Sequence, residues 1–364
     1  MAGSTGCGRL PGKTAWCDKG SGMKMKRRLP DRKSKVTVKE VALRAQVSES
    51  TVSRIMRNKG PVADETREKV METVRALGYV PNRIAGALAS LNTHLVGVVV
   101  PSLSNIVFPE VLRGIHAGLE EAQDIQAVIS VSEYDTEAEE HMVRGLLSWK
   151  PAAVLVTGLE HTEATRQMLM NSEGRVVEMM EIDGDPIDLA VGMSHRSAGY
   201  ATGRHLVEKG YRRFGYVGHD WEADSRAKLR YEGLCAALRE TGLTIQAQAI
   251  TNAPSSVGAG RDMTARLLSA DPSVDVAVYS NDDMAVGGVF HCLESGLSMP
   301  DELAIFGFNG LEIGRQMPQP LSTVRSNRYR IGREAIEAIL KCPDRPEEPT
   351  KIDTGFEIFE GATA

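Results

Sequence analysis

The sequence has few cysteines and no long apolar run. Its five cysteines are scattered, form no CxxC pair and have no histidine at metal-ligand spacing: Cys7, Cys17, Cys235, Cys292 and Cys342. This distribution argues against a zinc site and a disulfide framework, and it favours a reducing cytoplasm. No apolar stretch is long enough to span a bilayer, and the first residues lack the apolar segment of a secretory signal. We therefore expect a cytoplasmic protein that does not contact membranes.

The sequence also lacks the motifs of several common enzyme classes. GxSxG and HExxH are absent, and no GxGxxG follows a predicted strand. Gly12–Thr14 resembles the end of a phosphate-binding loop, but the glycine required five positions before Gly12 is Cys7, and no strand precedes it. We expect no catalytic residues, no cofactor and no metal. An α/β enzyme remains an alternative, which a turnover screen with sugars and sugar acids would reveal.

The stretch Thr37–Asn58 contains two short helical patterns around a polar turn. Thr37 with Glu40 three residues later forms a capping box, and Ser48 is a natural N-cap for the second helix. Two short helices with a tight turn, the second carrying Arg54, are typical of a DNA-binding helix-turn-helix. An ordinary helical hairpin is the alternative, but both helices are too short and too polar to bury two faces. Apolar residues recur at helical spacing in each half, at Val38, Val41, Ala42 and Ala45 and at Val52, Ile55 and Met56.

Charge is distributed unevenly along the chain. Residues 23–83 hold 16 Lys and Arg against 7 Asp and Glu, a balance of +9, so the rest must carry −14 to reach the formal net charge of −5. A basic module on an acidic body fits a nucleic-acid reader joined to a part that does not touch phosphate. Residues 1–34 are rich in glycine and basic residues and lack periodicity, which predicts a disordered arm. A third amphipathic pattern ends at Gly78, so residues 35–80 predict a three-helix domain.

From residue 94 onwards, short apolar runs alternate with helical patterns. This alternation predicts an α/β fold with parallel sheets covered by helices on both faces. About 270 residues exceed one compact sheet, so we expect residues 93–364 to form two interleaved, doubly wound subdomains with a cleft between them. Ligands of such sheets bind beyond the carboxyl ends of the strands. The apolar runs are Leu95–Val100, Ala127–Val131, Ala153–Val156, Val176–Met179, Phe214–Val217, Val274–Tyr279 and Leu303–Phe306.

Several motifs resemble those of the LacI/GalR family of bacterial repressors. They are TVKEVA, VSESTVSR, TREKV, GYVPNRIAGALA and GVVVPSLSN, and the likeness continues to the C-terminus. The resemblance implies a helix-turn-helix headpiece, a hinge helix within residues 81–92 and a periplasmic-binding-protein-like core. It also implies a transcriptional repressor that acts as a homodimer on double-stranded operator DNA at the nucleoid. A small sugar or sugar acid is the implied effector.

The resemblance assigns DNA contacts to the headpiece and the hinge. Glu49, Ser50 and Arg54 fall where the family reads base edges, and an arginine can bond a guanine bidentately. Leu88 corresponds to the wedge that enters the minor groove and kinks the duplex, with a plain linker residue as the alternative. Gln46 replaces the glycine usual in the family's turn, where a positive φ would strain a glutamine. The other implied contacts are Thr37, Ser48, Thr51, Ser53, Asn58, Asn82, Arg83 and Ala85.

The predicted strand ends carry polar side chains suited to a polyhydroxylated ligand. The resemblance places Arg230, three residues before Gly233, at the position of the effector-binding arginine, and it matches Asn281 and Asp282 with a ligand-contacting Asn-Asp pair. Asn309 stands where the family commonly has aspartate, and one carboxylate fewer beside Arg230 would favour an acidic sugar. Capping of the next helix is an alternative for Asp282 and Asp283, and shielding of the cleft rim is one for Trp221. The other candidates are Ser102, Asn105, Phe108, Asp183 and Arg226.

Within the family, four segments look most like the gluconate-utilisation repressors: VVVPSLSNIVFPEVLRGI, LLSWKPAAVLVTG, DLAVGMSH and SNDDMAVGG. This likeness implies induction by gluconate or a close sugar acid, which shifts DNA affinity through its differential affinity for two states. The chain ends without leucine heptads, so we expect dimers rather than tetramers. One alternative is a periplasmic-type sugar-binding protein, which the basic headpiece opposes. Another is a LacI-type regulator that senses a neutral sugar or activates transcription.

Overall fold

A computed structural model describes residues 36–56, 60–80, 93–122, 125–221 and 224–364. The chain divides into two compact units, Met1–Asn82 and Arg83–Ala364. The arm predicted over residues 1–34 and the hinge predicted over residues 81–92 lie outside the described residues.

In its described residues the first unit has three helices: α1 (Val38–Ala45), α2 (Glu49–Met56) and α3 (Asp64–Leu77). The predicted caps are confirmed, because Thr37 Oγ1 accepts from Glu40 N at 3.4 Å and Ser48 Oγ accepts from Thr51 N at 3.1 Å. The three helices share one small apolar core, which leaves the opposite side of α2 facing solvent. The buried core residues are Val41, Ala42, Ala45, Val52, Ile55, Val70 and Val74.

The second unit consists of an N lobe and a C lobe. The N lobe begins with β1 (Thr93–Val100), α4 (Val107–Glu120), β2 (Gln126–Val131), α5 (Thr136–Leu147), β3 (Pro151–Thr157), α6 (Glu163–Met170), β4 (Arg175–Glu181) and β5 (Leu189–Met193). The C lobe follows with α7 (His195–Glu208), β6 (Phe214–His219), α8 (Ser225–Glu240), β7 (Ile245–Thr251), α9 (Val257–Ala270), β8 (Val276–Tyr279), α10 (Asp282–Ser295), β9 (Ala304–Asn309), α11 (Glu312–Arg315) and β10 (Ser322–Ser326). The chain then returns to the N lobe with α12 (Arg328–Lys341) and β11 (Thr350–Asp353), and it adds β12 (Phe356–Phe359) to the C lobe.

Each lobe is built on one six-stranded sheet. The N-lobe sheet has the order β11-β5-β4-β3-β1-β2 and is parallel throughout. The C-lobe sheet has the order β12-β10-β9-β8-β6-β7 and is parallel except for β12, which pairs antiparallel with β10. Separate apolar clusters pack helices on both faces of each sheet. The predicted two-subdomain, doubly wound α/β core is therefore confirmed.

All seven predicted strands are present, but the apolar runs miss β5, β7, β10, β11 and β12. β10 reads Ser-Thr-Val-Arg-Ser and β11 reads Thr-Lys-Ile-Asp, so neither presents an apolar run. In β7 exposed and buried positions alternate, as in a half-covered strand at a sheet edge. Apolar runs thus identify most interior strands together with the edge strand β2, but they miss β5, which reads Leu-Ala-Val-Gly-Met and is buried throughout.

The chain crosses between the lobes three times, after β5, after β10 and after β11. Each lobe is therefore assembled from separate parts of the sequence, and three crossings join the two lobes. Among the described residues, no helix is both long enough and apolar enough to cross a membrane.

Candidate DNA-reading helix and effector cleft

The exposed side of α2 carries the residues assigned to base reading. Glu49, Ser50 and Arg54 are exposed, whereas Val52 and Ile55 on the same helix are buried in the headpiece core. Ser48 acts as the N-cap, and its Oγ also lies 2.8 Å from Ser50 Oγ and 2.8 Å from Thr51 Oγ1. Thr51 and Ser53 are half-buried. Their DNA contacts stay predictions, and Asn58, Asn82, Arg83, Ala85 and Leu88 lie outside the described residues.

Gln46 adopts the positive φ that the turn requires. Its φ of 56° and ψ of 43° are left-handed, a conformation that costs a residue with a Cβ roughly 1–2 kcal/mol. Two contacts offset part of that cost. Its backbone N–H bonds the carbonyls at the end of α1, and Lys69 Nζ donates to its side-chain Oε1 at 3.3 Å. The turn geometry is therefore kept without glycine.

A cavity of about 760 Å³ lies between the carboxyl ends of the strands in the two lobes. Seven of the ten candidate effector residues line this cavity, so the structure brings them together around one space. They are Ser102, Asn105 and Phe108 of the N lobe and Arg226, Arg230, Asn281 and Asn309 of the C lobe. Whether each of them contacts an effector stays a prediction.

Arg230 is held in place from several sides. Its Nη1 donates to His195 Nδ1 at 3.0 Å and its Nη2 donates to Ser280 O at 2.9 Å. Its Cζ lies 4.0 Å from the centre of the Phe308 ring, within range of a cation–π interaction. A guanidinium carries five N–H donors, so these bonds orient the group without using all of its donors.

Asp224 stands between the two arginines and is not among the residues that the sequence predicts. Its carboxylate oxygens lie 3.7 Å from Arg226 Nε, 3.7 Å from Arg230 Nη2 and 3.7 Å from His219 Nε2. Burial raises the pKa of Asp224, but the charges on Arg230 and Arg226 outweigh it and lower the pKa to about 2. Asp224 therefore supplies a permanent carboxylate beside Arg230, so the cleft is less positive than the replacement at Asn309 suggests.

Three candidate residues do not line the cavity, and their predicted place in the cleft is wrong. Asp183 accepts from Ser194 Oγ at 2.6 Å and from His195 N at 2.7 Å, so it caps the start of α7. Trp221 packs against Tyr231, with ring centres 4.8 Å apart, in an aromatic cluster of the C lobe. A position at the end of a strand does not by itself reveal whether a side chain points into the cavity.

Asp282 is the third correction. It is fully buried and accepts from Leu311 N and from Thr323 Oγ1, both at 2.7 Å. Burial raises the pKa of Asp282 to about 6, against the effect of these two hydrogen bonds. Asn281, one residue earlier, is the N-cap of α10 and lines the cavity, as does Asp283 one residue later. The hydrogen bond from Leu311 N thus connects Asp282 to the loop after β9.

The structure adds cavity residues that sequence reasoning misses, above all Tyr134, His195 and Asp224. Tyr134 and Glu133 are consecutive non-glycine residues with positive φ, at 61° and 50°, and such strain gathers at functional sites. Asn105 Nδ2 donates to the Tyr134 hydroxyl at 2.9 Å. His219 also lines the cavity, and its Nδ1 lies 3.1 Å from Ser280 Oγ. For Asp224, the sequence contains one local signal, which is its spacing of two residues from Arg226.

Comparison with known proteins then decides the family. Residues 93–356 match the family model of periplasmic binding proteins and the sugar binding domain of the LacI family, and residues 37–82 match that of bacterial regulatory proteins of the lacI family. The chain belongs to the LacI family. In the described residues, the exposed side of α2 and the cavity between the lobes fall within these two matched regions.

Individual relatives agree with this assignment. The chain is 40% identical over 274 residues to the HTH-type transcriptional regulator GntR of Pseudomonas aeruginosa, covering 75% of this chain and 79% of that protein. It is 33% identical over 334 residues to the HTH-type transcriptional regulator IdnR of Escherichia coli, covering 91% of this chain and 99% of that protein. The crystal structure of a LacI-family regulator from Silicibacter pomeroyi superposes with a TM-score of 0.83 at 41% identity, covering 90% of this chain and 99% of that structure's chain.

The prediction of a DNA-binding repressor of this family is therefore confirmed at the level of the family. The relatives are transcriptional regulators and not enzymes, which agrees with the prediction that the chain is not an enzyme. LacI-family regulators bind operator DNA and sugar effectors and act as dimers. Control of DNA binding by an effector is typical of the family.

Proposed function

We propose that the effector is a sugar acid of the gluconate type and that it binds in the cavity between the lobes. The observation that carries this proposal is the pair Arg226 and Arg230, whose guanidinium groups line a cavity of about 760 Å³. A guanidinium can bind a carboxylate through two parallel hydrogen bonds. Polar side chains surround the pair and suit the hydroxyl groups of a polyol: Ser102, Asn105 and Asn281. The resemblance to gluconate-utilisation repressors supports the same effector.

In the proposed mechanism the sugar acid acts as an inducer of a homodimeric repressor. Binding between the lobes changes their relative orientation, because residues of both lobes line the cavity and only the three crossings join the lobes covalently. We propose that residues 81–92 form the hinge that reports this change to the headpiece of residues 35–80. The effector then shifts DNA affinity only by its differential affinity for the two states. The repressor acts in the cytoplasm, at the nucleoid.

We further propose that α2 reads the operator. Arg54, Glu49 and Ser50 share its exposed side and contact base edges, while Thr51 and Ser53 approach phosphates. An arginine bonds guanine bidentately and a glutamate accepts from the cytosine amine, each worth about 1–3 kcal/mol of discrimination. Leu88 serves as the minor-groove wedge of the hinge.

A thermal-shift experiment on the full chain tests the effector proposal. Gluconate and sorbitol form a matched pair of probes, because they differ by a carboxylate in place of a hydroxymethyl group. We expect gluconate to stabilise the protein, by about 2.7 kcal/mol when its concentration is about 100-fold above Kd, and sorbitol to have little effect. Arg230→Ala should abolish the shift, whereas Arg239→Ala, exposed at the other end of α8, should keep it. Stabilisation by neutral hexoses alone would contradict the proposal.

A further inference from the structure

Asp224 occupies an unusual place for an acidic residue in a site proposed to bind an acid. Its carboxylate is flanked by Arg226, Arg230 and His219, each at 3.7 Å, and all four side chains are largely buried. An entering carboxylate meets the same guanidinium groups. The protein therefore places a negative charge of its own beside the charges that an anionic effector would seek.

The geometry shows how Asp224 is held. At 3.7 Å its contacts with the two arginines exceed the range of good hydrogen bonds. Its Oδ1 instead accepts from Ala227 N at 3.1 Å, because Asp224 is the N-cap of α8. The start of α8 thus fixes the carboxylate, which is near enough to offset one of the two positive charges without taking up N–H donors of the arginines.

The two arginines differ in their other partners. Arg230 is bonded to His195 and Ser280 and lies over Phe308. For Arg226, the one ion pair within the described chain is that with Asp224. Arg226 also faces the N lobe, since its Nη1 comes within 3.7 Å of the position of a Cβ built on Gly158. A ligand carboxylate between the lobes would therefore meet Arg226 as well as Arg230.

We propose that Asp224 is a built-in competitor of the effector's carboxylate. It cancels one of the two guanidinium charges in the empty cleft, which stabilises the free protein, and it repels the carboxylate of a bound acid, which weakens binding. Affinity for uncharged sugars is unaffected. The competition by Asp224 sets the concentration at which a sugar acid acts. This inference rests on the proposed function, because it requires a sugar acid to enter this cavity.

The test uses the full chain with Asp224→Asn and isothermal titration with gluconate and with sorbitol. Asparagine caps a helix as well as aspartate does, so the substitution removes the charge and keeps the start of α8. We expect gluconate to bind about tenfold more tightly, as removal of one like charge a few ångströms away allows, with sorbitol unchanged. The melting temperature of the unliganded variant should fall. Asp224→Ser, which also caps, provides the same test if the asparagine variant does not fold.

Asp283→Asn is the matched control, because Asp283 also lines the cavity but is not part of the ion-pair group around Asp224. We expect a smaller gain in gluconate affinity there than in Asp224→Asn. An equal gain in both variants overturns the proposal, since the effect would then be that of net charge. Weaker binding of gluconate and sorbitol by Asp224→Asn also overturns it, because Asp224 would then accept ligand hydroxyls. Wild-type protein that binds no sugar acid refutes the proposed function itself, and this inference with it.

Discussion

Arg230 and His195 join the cavity between the lobes to the first crossing between them. Arg230 Nη1 donates to His195 Nδ1 at 3.0 Å, and because a guanidinium only donates, the ring proton of His195 must be on Nε2. From there it is donated to Met180 O, at 3.0 Å, in β4 of the N lobe. Burial lowers the pKa of His195 well below its usual value, and the charges on Arg230 and Arg226 lower it further. A neutral ring thus links the C-lobe arginine to the N lobe.

His195→Leu removes both bonds of this ring. Each buried group left without its partner costs about 1–3 kcal/mol. We expect the free energy of unfolding to fall by about 2 kcal/mol and gluconate affinity to fall about tenfold, because Arg230 loses its orientation. Urea unfolding and calorimetric titration measure the two effects. Arg196→Ala, at an exposed neighbouring position, is the control and should leave gluconate affinity unchanged. Unaltered affinity in His195→Leu would contradict the linking role.

Gly199 lets α7 approach the backbone of Arg230 on α8. A Cβ built at Gly199 collides with the carbonyl oxygen of Arg230, so Gly199→Ala must push α8 away. We expect a loss of about 1–3 kcal/mol in stability together with weaker gluconate binding. Gly145→Ala in α5 is the matched control, because in the described structure nothing lies within 4 Å of a Cβ built there. It should gain about 0.5–1 kcal/mol. If both variants lose stability, close packing is not the cause.

A buried charge group in the N lobe predicts a loss of stability at alkaline pH. His161 Nδ1 lies 2.6 Å from Glu139 Oε1, and its Nε2 lies 3.5 Å from Glu178 Oε1. Burial lowers the pKa of His161, but the hydrogen bond with Glu139 and the nearby carboxylate of Glu178 outweigh it and raise the pKa to about 9. The folded pKa exceeds the unfolded value of about 6.5, so the stabilisation is full below that pH and is lost as pH rises through about 9.

Urea unfolding of wild type and His161→Gln across this pH range checks the prediction. The difference in unfolding free energy should be largest near pH 6 and shrink towards about pH 9.5. His116, which is exposed beside Glu120, offers His116→Gln as a control with little effect at any pH. A difference that does not change with pH would show that His161 stays neutral in the folded protein.

Arg54 should carry much of the sequence preference. We expect Arg54→Ala to lose about 1–3 kcal/mol of discrimination between an operator and random duplex DNA, while salt-sensitive non-specific binding remains. Arg75→Ala, on the exposed part of α3, should keep the discrimination. Fluorescence anisotropy with both duplexes at fixed salt measures the ratio. A wild-type ratio in Arg54→Ala would show that another side chain reads the bases.

Much of the fold was predictable because local signals and burial agree. Caps at Thr37 and Ser48 and the periodic apolar residues define the headpiece helices, and doubly covered strands present themselves as apolar runs. Most of the strands that escaped detection are polar or lie at a sheet edge, such as β10, β11 and β7, whereas β5 is a short apolar strand that is buried throughout. Their place depends on pairing with residues far along the chain, which a local pattern does not contain.

The cleft was predictable in its location and only partly in its residues. Strand ends indicate which segments surround the cavity, but not the direction of each side chain. Asn281 lines the cavity, whereas Asp282, the next residue, points into the C lobe and bonds Thr323. Asp224 escaped for another reason: its spacing to Arg226 is a weak local signal, and its approach to Arg230 depends on how α8 begins.

The most direct measurement is the affinity of the full chain for an operator, selected from random duplexes by the protein itself, with and without gluconate. We predict that a dimer binds the operator and that saturating gluconate weakens binding at least tenfold, while sorbitol has no effect. Arg230→Ala should bind the operator as wild type does and ignore gluconate. The proposed control by a sugar acid is contradicted if the wild-type protein binds the operator with the same affinity at every concentration of gluconate or another sugar acid.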